Sequence, residues 1–483
     1  MLRTVKRSAY LYHSGSKCGK GLKCDNSLVS SSTPVKTRSS VFRRSFRRDF
    51  PLAVRGEGVY VWDAEGNRYL DLAGSAAVNF IGHGVPEISS AIAAQAAQLE
   101  FVHTSQFTTP VAEEYARELL SFAGEHFRGG AVYFTSGGSE SIETALKLAR
   151  QYQVDIGQAS RHQILSRQQS YHGSTLGALS VSGNKRRREI YLPMVREFPH
   201  IGMPYCYRCN FDCTDGCRNC GQQYAAELEQ AIEKSDGEAA GFIFEPVSGA
   251  TLGAVVPPPG YLQSIAEICR RHGVLLIADE VMTGMGRTGR NFAVDHCQIE
   301  PDILVTAKGL SSGYAPLGAV IASKKVVDAI DQGSGAFLHG FTYNAHPISL
   351  SAGRAVLHQL KTNNLVVAAD SSRPETPAAK FKRALESLRK EESVGDVRGI
   401  GLLWGVEFVA DKKTKQPFPA NQNFSARVAA AALKRGLLVY PMQGCVVGIS
   451  GDHLLLAPPA IITPEQIDWS IDQLSAAIRE AIS

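Results

Sequence analysis

Short apolar runs alternate with helical stretches through most of this chain. Ala131–Thr135, Gly241–Phe244, Val274–Ala278, Ile303–Thr306 and Gly318–Ala322 are nearly continuous apolar segments of strand length. Pro86–Gln98, Val111–Phe122 and Tyr261–Arg271 repeat apolar residues at the three-to-four spacing of a helix with one buried face. Strands that are apolar throughout and separated by helices predict a mostly parallel sheet buried on both faces.

Upstream, GEGVYVWDAEGNRYLDLAG alternates apolar and polar positions about Asp63–Gly66 and reads as a hairpin. Downstream of Leu350 come a long helix, a polar stretch at Arg373–Pro377, a strand pair around Gly401–Phe408, and helices at Ala426–Arg435 and Pro464–Ile482. These patterns divide the chain into a tail (1–49), an N-terminal segment of a small domain (50–104), a large domain (105–350) and the remainder of the small α+β domain (351–483). The large domain carries a cysteine-rich insertion at about 203–221. No internal repeat is present.

The length of 483 residues and the hydrophobic content of 44% support several packed units and exclude a disordered chain. No apolar run approaches the roughly 20 residues of a membrane-spanning helix. The net charge of +5 is uneven. The first 49 residues hold twelve Lys/Arg against Asp25 and Asp49, which leaves 39 basic and 44 acidic residues for the rest. A mildly acidic body argues against a nucleic-acid surface, which needs clustered cations. The basic, Ser-rich tail is compatible with a mitochondrial transit peptide, and a cytoplasmic location with a solvated tail is the expected alternative. Of ten cysteines, Cys206, Cys209, Cys213, Cys217 and Cys220 crowd together. The spacing resembles paired zinc knuckles with a short gap, but a compact loop of reduced thiols without metal is the expectation.

Chemistry in such sheets gathers where apolar strands end. In YFTSGGSESIE a strand meets Gly137 and Gly138 at a helix start, and unpaired amides there favour a phosphate. The spacing fits neither a dinucleotide fingerprint nor an ATP loop. VLLIADEV delivers Asp279 and Glu280, whose burial calls for a cationic partner. PDILVTAKGLSSGYAPLGA presents Lys308, an amine suited to a Schiff base, and FIFEPV places Glu245 at another strand end. A phosphate, a cationic ring nitrogen and an aldehyde describe one ligand, pyridoxal phosphate.

TSGGSE, YHGST, EPV, ADEV, TAKGLSSGYAPLGA, GFTYNAHP and LLAPPAIIT, in this order, resemble the class III pyridoxal-phosphate aminotransferases of fold type I, from about Phe50 to the C-terminus. The resemblance implies an α/β fold with a mostly parallel, seven-stranded type of sheet and a smaller α+β domain. It also implies a homodimer with a shared active site. Lys308 would carry the cofactor and move the substrate proton, and Asp279 would pair with the pyridine nitrogen. Gly138 and Ser139 would hold the phosphate with Thr342 of the partner subunit, Tyr171 would stack on the ring beside His172 and Gly173, and Val281 would support its other face. The implied reaction is two-stage transfer of an amino group from an amine or amino acid to a keto acid or aldehyde. Racemases and decarboxylases of the same fold, and a cofactor-poor scaffold protein, remain alternatives on these motifs. Where many relatives carry an arginine for the substrate carboxylate, this chain has Tyr440 and Leu455, separated by the long loop PMQGCVVGISGDH. Glu245, without that arginine, would meet a substrate amine or bond backbone groups.

Overall fold

The computed structural model describes residues 39–209, 211, 217 and 219–482. The chain divides after Pro51. Residues 39–51 contain no helix or strand, and most of the tail lies outside the described residues, as does Cys213.

Beyond Leu52 the largest element is a seven-stranded sheet. Its spatial order is Ala131–Thr135, Gly318–Ala322, Ile303–Thr306, Leu275–Asp279, Ala239–Phe244, Gln163–Arg167 and His200–Ile201. Every pairing from Ile303–Thr306 to His200–Ile201 is parallel. Gly318–Ala322 is antiparallel to both neighbours, so the sheet is mostly parallel with one inverted strand.

The continuous apolar runs have a physical cause, since side chains alternate between two buried faces. Phe242, Phe244, Leu276, Ala278, Leu304 and Ile321 point into one core together with Leu262 and Ile265 of the helix Tyr261–His272. Ile243, Leu275, Ile277, Val305 and Val320 point into the other, against Ile142, Ala145 and Leu148 of the helix Gly138–Asp155. That helix follows the strand Ala131–Thr135 directly, so its first turn lies at the strand's carboxyl end.

Two smaller sheets complete the chain. Ala53–Glu57, Tyr60–Asp63 and Arg68–Asp71 form an antiparallel set, with the turn at Asp63–Asn67 as the hairpin pattern predicts. Leu437–Leu438 adds in parallel to Arg68–Asp71, which joins the N-terminal strands to the C-terminal region. The other sheet orders Val394–Ile400, Leu403–Phe408, Ser450–Leu456 and Tyr440–Val446, all antiparallel.

Two expectations change here. The strand pair placed around Gly401–Phe408 is a longer hairpin that turns at Gly401, whose φ of +61° suits glycine. PMQGCVVGISGDH is mainly not a loop, because most of it lies in the paired strands Tyr440–Val446 and Ser450–Leu456. Its three glycines hide the alternation, and Gly444 and Gly448 sit at positive φ where the register shifts.

Candidate active site

A cavity of about 460 Å³ opens at the carboxyl ends of the large-sheet strands, and residues from distant parts of the chain converge on it. Gly138, Ser139, Tyr171, His172, Glu245, Asp279, Val281 and Lys308 all line it. Thr342 does not; it is exposed on a loop of this chain.

Ser136 to Ser139 bring the start of the helix Gly138–Asp155 to the cavity wall. No side chain caps that 18-residue helix, so its first amides and the positive end of its dipole face the cavity. A Cβ added at Gly137 would meet nothing within 4 Å, whereas one at Gly138 would approach Val281 Cγ1 at 3.1 Å. The turn thus has open space on one side and close packing on the other. Ser139 Oγ accepts from the backbone N–H of Ser174 at 3.0 Å, which ties this turn to the segment bearing Tyr171 and His172.

Asp279 ends the fully buried strand Leu275–Asp279. Its Oδ2 lies 2.7 Å from His172 Nδ1, and both side chains are buried. A carboxylate only accepts, so His172 Nδ1–H is the donor and the imidazole orients the acid. Asp279 Oδ1 accepts from the Val281 N–H at 3.1 Å. Glu245 accepts from the Gly249 N–H at 2.9 Å and the Tyr171 N–H at 3.3 Å, so of its two expected uses this chain makes the backbone one. Burial pushes the Glu245 carboxyl above the ordinary range, opposed by the nearby imidazole of His172.

Lys308 follows the strand Ile303–Thr306 in a left-handed conformation, with φ of +44°. Strain of this kind, of order 1–3 kcal/mol, is tolerated where surrounding packing fixes the backbone. Burial lowers its amine from 10.5 to about 8, although Asp279 and Glu245 pull the other way. Below pH 8 the folded and unfolded lysines are both protonated and the burial cost stands in full. Between about 8 and 10.5 the unfolded chain holds the proton that the folded chain has released, so stability rises with pH. Relative to Lys308→Met, the unfolding free energy of the cofactor-free protein should therefore climb by up to about 3 kcal/mol across that window. Urea titrations at several pH values measure it, and a flat difference would contradict a depressed amine.

Two arginines escaped the sequence reading. Arg187 lies over the Tyr171 ring, 4.4 Å from guanidinium carbon to centroid. Arg287, fully buried, donates to the carbonyls of Asn79, Ala457 and Pro458 at 2.6–3.0 Å and locks three segments together. Neither belongs to a strand-end motif, and no local pattern marks them.

The residues present fit an aldehyde cofactor that carries a phosphate and a ring nitrogen: a buried amine of lowered basicity, a carboxylate held by an imidazole, and uncapped amides around one cavity. Comparisons agree. The family model for class-III aminotransferases matches residues 44–478. An uncharacterized aminotransferase of Bacillus subtilis is 39% identical over 433 residues, covering 89% of this chain and 95% of that protein. A thermostable (S)-enantioselective omega-transaminase from Thermomicrobium roseum superposes with a TM-score of 0.83 at 37% identity, over 90% of this chain and 94% of the other. An amine transaminase from an uncultivated Pseudomonas species, solved with pyridoxal phosphate bound, gives 0.84 at 32% identity, over 93% and 99%.

The protein is an α/β enzyme of the pyridoxal-phosphate transaminase fold. The chain belongs to the class III aminotransferases and transfers amino groups with pyridoxal phosphate as cofactor. Among the described residues no helix is long and apolar enough to cross a membrane.

Proposed function

We propose that this aminotransferase works through Lys308 and Asp279 on amines whose carbon substituents are largely apolar. The observation that carries the reading is the composition of this cavity. Its charged lining residues are Lys308, Asp279 and Glu245, and no arginine lines it among the described residues. Val78, Val247, Ala250 and Met282 form its apolar flank. Behind them Leu403, Tyr440, Met442 and Leu455 continue the apolar surface, and Tyr440 pairs with Leu455 across two strands. Arg187 stacks on Tyr171 outside this lining, so an α-carboxylate would find no guanidinium on the apolar flank itself.

When bound, the cofactor supplies an aldehyde for amine exchange and a ring that accepts the electron pair left by a departing proton. Gly138 and Ser139 would hold its phosphate with backbone amides. Tyr171 and Val281 would confine its ring, and Asp279 would keep its nitrogen protonated. Lys308 would tether its aldehyde and, as a free amine, would move the proton at the donor's α-carbon. A basicity lowered to about 8 suits that task near neutral pH.

The chain acts as a homodimer in this reading. Thr342, exposed here, would reach the phosphate of the partner subunit's site. The strands of 50–104 and the region 351–483 would form one small domain beside the large domain 105–350. A cytoplasmic location is proposed, with mitochondrial import as the other outcome of imaging a reporter fused to residues 1–49.

A single-turnover assay tests the reaction. Holoenzyme given donor and no acceptor should release about one carbonyl product per chain, because the cofactor keeps the amino group. In steady state, apolar primary amines should exceed glutamate and aspartate in kcat/KM by about tenfold or more, equivalent to roughly 1.4 kcal/mol of differential binding. A preference for the dicarboxylic donors would overturn the substrate reading.

A further inference from the structure

Three sulfurs come together outside the lining of the cofactor cavity, which includes none of these cysteines. Sγ atoms of Cys209, Cys217 and Cys220 all lie within 4.8 Å of one another, and Cys209 and Cys220 approach to 3.5 Å. Zinc bound to thiolates at about 2.3 Å in a tetrahedron separates its sulfurs by roughly 3.8 Å, so this spacing is that of ligands around one ion. We propose that Cys206, Cys209, Cys217 and Cys220 bind one structural zinc ion, contrary to the metal-free loop expected from the sequence.

The local structure supplies two CxxC pairs, Cys206/Cys209 and Cys217/Cys220. Cys220 opens the helix Cys220–Glu233, and Cys206 begins a single turn at Cys206–Arg208. Cys217 stands in the left-handed region at φ +67°, and its Sγ lies 4.0 Å from the Cys206 carbonyl, so the backbone of the first pair abuts the sulfur of the second. Cys217 and Cys220 are buried. Tyr224, one turn into the helix, points its hydroxyl at Cys209 Sγ from 3.5 Å. Hydroxyl donation to a metal-bound thiolate steadies its charge, as outer partners of zinc ligands do. Binding releases the thiol protons, leaving four thiolates around the ion and no open position, which fits structure rather than catalysis.

The site has mechanical consequences. Tyr205 precedes the first pair and Arg208 lies within it, and both bond the buried carboxylate of Glu407 in the strand Leu403–Phe408. An ion that clamps 206–209 to the helix at Cys220 would hold these two side chains on that strand.

Metal analysis of protein purified without chelators from zinc-supplemented cells should find one zinc per chain. Cys206→Ser, Cys217→Ser and Cys220→Ser should each lose it, while Cys297→Ser, which lies outside the cluster, should keep it. Cobalt exchange should produce the intense visible bands of tetrahedral thiolate coordination. Tyr224→Phe, which leaves all four ligands in place, should weaken zinc roughly 10-fold in competition with a chromogenic chelator. Wild-type protein without stoichiometric zinc, or a Cys209–Cys220 disulfide in a non-reducing peptide map, would overturn the proposal. So would full zinc in Cys217→Ser. Metal content is read independently of amino transfer, so failure here leaves the proposed reaction standing and the reverse also holds.

Discussion

Replacing Lys308 by alanine is expected to lower kcat/KM for amino transfer by at least about 10⁴-fold, the upper range for losing a positioned proton carrier. Two losses combine. The amine at 308 is the buried lysine among the residues lining the cavity, and its basicity is lowered to about 8 by burial. In the proposed mechanism its loss would leave nothing to tether the cofactor aldehyde and nothing to move the α-proton. The variant should remain folded, because removing a buried amine also removes the cost of desolvating it. Borohydride reduction of the holoenzyme followed by peptide mapping should mark residue 308 in the wild type and no lysine in Lys308→Ala. Retained activity, or a mark on another lysine, would end the assignment.

Asp279→Asn should cost about 10²–10³-fold in kcat/KM with a small change in thermal midpoint. The amide has nearly the same shape: its Oδ1 can still accept from the Val281 N–H, while its Nδ2–H2 would donate to His172 Nδ1 in the other neutral tautomer, so both contacts that position residue 279 persist with one reversed. What disappears is the negative charge beside a cationic ring nitrogen in a buried site. Breaking a buried ion pair from one side typically costs 3–5 kcal/mol, and each 1.36 kcal/mol is tenfold in rate. His172→Phe, which leaves the charge but removes its orienting donor, should fall between this variant and the wild type. Near-normal turnover in Asp279→Asn would show that the ring nitrogen does not depend on this carboxylate.

Five of the sheet's seven strands were legible because burial on both faces demands unbroken apolar runs of four to six residues, whereas Gln163–Arg167 and the two-residue His200–Ile201 carry no such run. Pro86–Gln98, Ala131–Thr135, Ile303–Thr306, Gly318–Ala322 and Pro464–Ile482 begin and end where the pattern places them. The helix read as Val111–Phe122 runs Pro110–Ala123 in the structure, where Thr109 caps it by accepting from the Ala112 N–H. The strands from Tyr440 to Leu456 were obscured, since glycines at a bulge break alternation while cross-strand pairing keeps the sheet.

The site divides along the same line. Lys308, Asp279, Glu245 and the glycine turn each end an apolar strand or open a helix, so neighbouring residues alone mark them as candidates. Tertiary structure decided their relations. It set His172 against Asp279 across 107 positions, inverted Gly318–Ala322 between two strands, paired Tyr440 with Leu455 and gathered three sulfurs. Local periodicity reports only which side of an element is buried. Which buried sides meet, and how far an amine's basicity falls, depends on contacts between segments far apart in the chain, and these exist only once the whole core has closed.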